Sequence, residues 1–205
     1  MYYIVVGLAM VLIVGLNILF NLTLFDGNVL YVSVLVVLST IAVIVVDAVV
    51  ATIIRHGLPN KWFAPDNKLF KVSKKEQHFY EKLGIRKWKD KALELGQFTG
   101  FRKNKLEDPY NLEYIERFLL ENNYGFIVHV GCCIIGFVII LFFPLKFALF
   151  IGMPVAIVNV LLNLMSAFIL RYNTPKLQTL RKYALRKKEQ EKINDEKKGD
   201  SLLVA

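Results

Sequence analysis

The chain has 205 residues, 55% of them apolar, and 26 Lys and Arg against 17 Asp and Glu leave it at +9. The charges are kept out of long apolar stretches, which excludes a soluble globular domain; with no nucleic-acid motif, the basic excess reads as topogenic and not as a nucleic-acid footprint. Two adjacent cysteines, Cys132 and Cys133, lie inside one such stretch and offer neither a disulfide framework nor a metal-ligand set.

The first stretch, residues 4–25, is predicted to cross the membrane as an anchor. It lacks a basic leader, and Leu24, Phe25 and Asp26 follow it in place of a small-residue cleavage site. The second, residues 29–54, is longer than the roughly 20 residues that span a bilayer core of about 30 Å, and it carries one charge, Asp47. A carboxylate there costs about 2.5 to 3.5 kcal/mol near the bilayer centre, so it needs a partner or a purpose. Arg55 and His56 close this stretch as headgroup anchors that are also placed to hold a phosphate or carboxylate.

Residues 55–124 carry 15 Lys and Arg against 10 Asp and Glu and hold both tryptophans, the mark of a folded, basic, membrane-proximal segment. Ser73 and Glu76 match a capping box and Gly84 a helix stop, which predicts an amphipathic helix over residues 74–83. Next, Ile85, Trp88, Ala92 and Leu95 recur at helical spacing among Arg86, Lys87, Lys89 and Lys91. Two readings fit: an interfacial helix with Trp88 at headgroup depth, or a helix packed on the rest of the segment. Gly96 and Gly100 then loosen the chain, and Asp108 with Pro109 predicts the start of a helix that buries Leu112, Ile115, Phe118 and Leu119.

The third and fourth spans are predicted at residues 125–143 and 147–170. His129 lies near the start of the third. Asn159, Asn163 and Ser166 share one face of the fourth, as Asn17 and Asn21 do in the first, and the asparagines read chiefly as interhelical hydrogen-bonding groups. Asp47 and Asn163 fall at similar depths and His129 somewhat closer to the cytosol, so the three are placed to converge beneath one membrane surface. Thr174 and Pro175 offer the start of a basic helix ending near Arg186, and the run from Lys187 reads as a solvated tail.

Both basic segments belong on the cytosolic side. The expected fold is therefore an all-α polytopic membrane protein of four transmembrane helices in two hairpins: residues 1–54, a cytosolic amphipathic helical segment 55–124, residues 125–170, and a basic tail 171–205. Multi-pass insertion in the cell membrane, both termini cytoplasmic and anionic lipid headgroups as partners follow from it.

Lys61-Trp62-Phe63, the run Ile85 to Lys91, Ile115-Glu116-Arg117 through Glu121, His129, and Arg171-Tyr172-Asn173-Thr174-Pro175-Lys176-Leu177 together resemble the glycosyl-4,4′-diaponeurosporenoate acyltransferase family over roughly residues 58–186. Members are membrane proteins that transfer a fatty acyl group to a sugar hydroxyl of a glycosylated carotenoid. The family pattern has a carboxylate three residues before the histidine, a glutamine before Arg-Tyr-Asn and an arginine after it; here those positions are Phe126, Leu170 and Thr174. The resemblance implies His129 as base, oriented by Asp47 if their spans pack together, with Arg171 and Asn173 on the acyl carbonyl or donor phosphate. Arg55, Lys87, Trp88, Lys89 and Asn163 are then donor- or substrate-binding residues. An acyl donor such as acyl-CoA is the implied co-substrate, without metal or resident cofactor. The competing reading is a non-enzymatic, membrane-anchored interaction or scaffold protein in which Asp47 and His129 only fasten helices.

Overall fold

The computed structural model describes residues 2–22, 28–91, 108 and 110–203. Ala92, Leu95, Gly96, Gly100 and Pro109, and the end of the first apolar stretch, lie outside them. Among the described residues every regular element is helical.

Helix α1, Tyr2–Leu19, is shorter than its apolar stretch, because Asn21 at φ 47° turns the chain out of the helix, a left-handed conformation asparagine tolerates. At 1.5 Å per residue α1 is about 27 Å long, just under the bilayer core. Among the described residues three helices are long and apolar enough to cross a membrane, and α1 is a shorter apolar helix. The three are α2 (Val29–Gly57), α5 (Leu112–Ile135, continued by a tight 3-10 stretch Gly136–Phe142) and α7 (Met153–Leu203). The first of the two predicted hairpins thus pairs a full-length helix with a shorter one.

Helix α2 starts on Asn28, whose Oδ1 accepts from the Tyr31 amide at 3.1 Å, and stops at Leu58, which Pro59 forces into an extended conformation. Two single 3-10 turns, Asn60–Phe63 and Lys68–Phe70, then fold back under α5. They carry Phe63 onto Tyr124, ring centroids 3.8 Å apart, and the Phe63 carbonyl accepts from Asn123 Nδ2 at 2.9 Å. Helix α3, Lys74–Lys82, has the expected cap, with Ser73 Oγ accepting from the Glu76 amide at 3.1 Å, and Gly84 at φ 64° ends it. The turn α4, Ile85–Trp88, follows.

Helix α5 is capped three residues later than the sequence suggests. Asn111 Oδ1 accepts from the Tyr114 amide at 3.1 Å, whereas Asp108 Oδ1 takes the Tyr110 amide in a local turn. From Leu112 it runs unbroken past residue 125, so one rigid rod joins the extramembrane segment to the membrane. After Pro144 a short helix α6, Leu145–Phe147, and a wide π turn, Ala148–Gly152, reverse the chain into α7. No new helix starts at Thr174 and Pro175. Helix α7 continues through them to Leu203, about 77 Å in all, because packing of Leu177 on Ile115, Phe118 and Leu119 of α5 offsets the roughly 3 kcal/mol a helical proline costs.

The apolar core between the membrane helices contains Val36 and Val43 of α2, Ile139 and the α7 residues Val155 and Ala156. Outside the membrane, the antiparallel pair of α5 and α7 forms the spine on which both 3-10 turns, α3 and α4 are laid.

Candidate functional site

Three helices converge on one partly buried carboxylate. Asp47 of α2 accepts from two α7 amides, Oδ1 from Asn159 Nδ2 at 3.2 Å and Oδ2 from Asn163 Nδ2 at 3.0 Å. Asn163 Oδ1 stands 2.7 Å from His129 Nδ1 on α5. Because the amide nitrogen of Asn163 is spent on Asp47 and Asn159, its oxygen is the acceptor, so the histidine carries its proton on Nδ1 and its lone pair on Nε2. One amide, that of Asn163, thus stands between Asp47 and His129.

Two glycines of α5 make this approach possible. A Cβ at Gly136 would lie 2.7 Å from Asn159 Nδ2, and one at Gly131 would press on Val50 and Ile54 of α2 at 3.1 and 3.2 Å. Cys132 and Cys133 donate weakly to the carbonyls of Asp47 and Val160. The cysteines are packing groups beside the carboxylate.

At the membrane exit of α7 sits a second cluster. Arg171, 9% exposed, donates from Nε and Nη2 to the Glu76 carboxylate at 2.7 and 2.8 Å, and from Nη1 and Nη2 to the carbonyls of Leu69 and Lys71. Its guanidinium lies over the ring of Phe126, 5.0 Å from the centroid. Burial alone would raise the Glu76 carboxyl, but the hydrogen bonds from Arg171 and Tyr80 outweigh it and hold Glu76 below its ordinary value. Tyr80 moves the other way, pushed up to about 12 by burial and then by its bond to Glu76. Arg171 is thus a clamp that docks α3 and the second 3-10 turn onto α7.

Beside the clamp opens a cleft of about 410 Å³ between α4 and α7, lined among others by Arg86, Lys89, Asp90, Tyr172, Asn173 and Lys176. Lys89 is half-buried, with Nζ 3.3 Å from Asn173 Oδ1 and 5.5 Å from the Tyr172 ring centroid. Three cations against one carboxylate make this cleft electropositive. Trp88 turns away from it and packs with Tyr80, Ile85 and Ile169 while Nε1 donates to the Leu83 carbonyl at 3.2 Å. Trp88 is thus packed on the rest of the segment, while Ala92 and Leu95 of the same apolar series lie outside the described residues.

A family profile described as glycosyl-4,4′-diaponeurosporenoate acyltransferase matches residues 59–183, more than half of the chain. The chain belongs to this acyltransferase family. No curated protein and no solved structure matches it. The matched region of the family member holds His129, Asn163, the Arg171 clamp and the cleft, whereas Asp47 and Arg55 lie before it. The carboxylate linked to the histidine through Asn163 therefore comes from a helix outside the family match. At the three positions that depart from the family pattern, Phe126 supports Arg171, Leu170 is buried, and Thr174 Oγ1 accepts from Asn122 Nδ2 at 3.0 Å.

The structure joins Asp47, Asn163 and His129 in one chain of contacts and sets Lys89 and Asn173 together in the cleft. Lys87 is exposed and outside the cleft lining. Arg55 forms a two-pronged pair with Glu121, both contacts at 2.6 Å, beneath which lies Tyr124. Sequence reasoning missed Glu76 and Glu121 as partners of these arginines and read Asn159 as a packing residue apart from Asp47. Glu76 was visible only as the third residue of a capping box; nothing local tells that its carboxylate meets a residue 95 positions away. Among the described residues no group of three His, Cys, Asp or Glu could hold a metal.

Proposed function

We propose that the chain is a membrane acyltransferase that moves a fatty acyl group from an activated donor to a sugar hydroxyl of a glycosylated carotenoid or related glycolipid, with the short apolar helix α1 crossing the membrane beside the three longer helices, so that both termini and the segment between α2 and α5 lie on the cytosolic side of the cell membrane. The observation that carries this reading is the Asp47–Asn163–His129 chain, set in a member of an acyltransferase family. Its geometry suits a base. His129 Nε2 takes the proton of the sugar hydroxyl as the oxygen attacks the acyl carbonyl, Asn163 holds the ring in that tautomer, and Asp47 favours the imidazolium that forms.

The test is a deletion strain complemented with the wild-type gene, with His129→Ala, or with Leu161→Ala, a control at an exposed apolar position of α7. Wild type and Leu161→Ala should restore the acylated glycolipids in an organic extract, and His129→Ala should leave the unacylated acceptor. If His129→Ala accumulates in the membrane and the lipid profile is fully restored, the protein is not using this histidine as a base, and the scaffold reading takes its place.

A further inference from the structure

Resting on the acyltransferase reading, we infer that the cleft between α4 and α7 binds the phosphate of a phosphopantetheine-borne acyl thioester, so that Arg86, Lys89 and Lys176 hold the donor's head while its thioester reaches His129. The cleft is roomy and presents three cations, Arg86 on α4, Lys89 on the 3-10 turn that follows it, and Lys176 on α7. Among the described residues Arg86 and Lys176 have no carboxylate partner, and Lys89 is steadied by an amide oxygen and a ring instead of an acid. A fourth side chain of opposite sign, Asp90, sits at the same opening. Cations that outnumber the carboxylate at one opening and are not paired to it are the arrangement that recognises phosphate oxygens.

The distance to the base selects the kind of donor. Asn173 at the cleft and Asn163 at His129 are ten residues apart on α7, on the order of 15 Å along the helix axis. Asn159, Asn163, Ser166 and Asn173 also fall within an arc of about 80° on that helix, forming a polar stripe from cleft to base. A phospholipid cannot bridge this gap, since only a glycerol separates its ester carbonyls from its phosphate. Phosphopantetheine can, because its amide-containing arm is of that length and its amides match a stripe of asparagine and serine. In the reaction the sugar oxygen bonds to the acyl carbon, the carbon–sulfur bond breaks, and the hydroxyl proton passes through His129 Nε2 to the departing thiolate.

Coenzyme A and an acyl carrier protein share this chemistry, and direct binding separates them. Purified full-length protein in lipid nanodiscs is titrated with unacylated coenzyme A, with pantetheine lacking phosphate, and with holo-acyl carrier protein, for wild type, Arg86→Gln/Lys176→Gln and the charge-preserving Lys176→Arg. Expected is saturable binding of coenzyme A or of the carrier protein by wild type and Lys176→Arg, weaker by about tenfold for each cation removed. Which of the two binds names the source, and pantetheine should not compete. If wild type binds neither, or if the double variant binds as well as wild type while remaining monodisperse, the inference is overturned. Transfer of acyl groups from phospholipid alone would also overturn it while leaving the acyltransferase reading intact. Binding by a protein that acylates no glycolipid from any donor would sustain the cleft and sink the acyltransferase reading instead.

Discussion

Arg171 and Glu76 meet through two parallel hydrogen bonds of 2.7 and 2.8 Å, joining the membrane exit of α7 to the first turn of α3. The arginine is almost wholly buried, so its charge is tolerated only because this carboxylate and two backbone carbonyls surround it. The pair therefore holds α3 and the second 3-10 turn, and with them one wall of the cleft, against the spine. Glu76→Gln should destabilise this docking by on the order of 2 kcal/mol, by removing the counter-charge while keeping the shape. Limited proteolysis between α3 and α5 would read the change as faster cleavage, with the membrane helices unaffected.

The same pair predicts a response to acid. Glu76 is held below its ordinary value, so its contribution is present above the usual carboxylate range and is lost as pH falls through the depressed folded value. Tyr80, raised to about 12, contributes fully below about 10 and loses its share as pH climbs from there toward about 12. Emission from Trp88, which packs against Tyr80, should shift to the red in strong acid and again in strong base in a Trp62→Phe background. In Glu76→Gln the acid shift should be absent.

Asn163 contacts both Asp47 and His129. Asp47→Asn and Asn163→Ala should each lower turnover by about tenfold to a hundredfold, as groups that orient a catalytic side chain do, and His129→Ala by about a hundredfold or more. Equal, full activity in Asp47→Asn would show that the carboxylate serves packing alone.

Gly136 makes room for Asn159. A methyl group there would stand 2.7 Å from Asn159 Nδ2 and push the amide off Asp47. Gly136→Ala should cost about 1 to 3 kcal/mol of stability and reduce activity in step with Asp47→Asn, whereas Gly7→Ala, with nothing within 4 Å, should do neither.

Orientation is open to chemical labelling. In a background without Cys132 and Cys133, a cysteine at Lys146, between α5 and α7, should react with an impermeant thiol reagent in intact cells, and one at Lys75 only after lysis. The reverse pattern would invert the proposed topology.

Apolar length and the placement of charge by themselves determined that this is a helical membrane protein, because a bilayer leaves the backbone no alternative to internal hydrogen bonding. Local chemistry likewise settled the Ser73 cap and the Gly84 stop, each decided within one helical turn. What the sequence could not decide was where a helix continues against its own propensities: through Pro175, where burial of Leu177 outweighs the lost amide, and out of the first stretch at Asn21, where a left-handed turn shortens an otherwise apolar run. Nor could it pair charges across the chain. Asp47 and His129 were marked as costly in lipid by composition alone, but the amide of Asn163 between them, and the commitment of Arg171 to Glu76, are set by how α2, α3 and α5 pack on α7, since hydrogen bonds of about 3 Å depend on tertiary positions that no local spacing encodes.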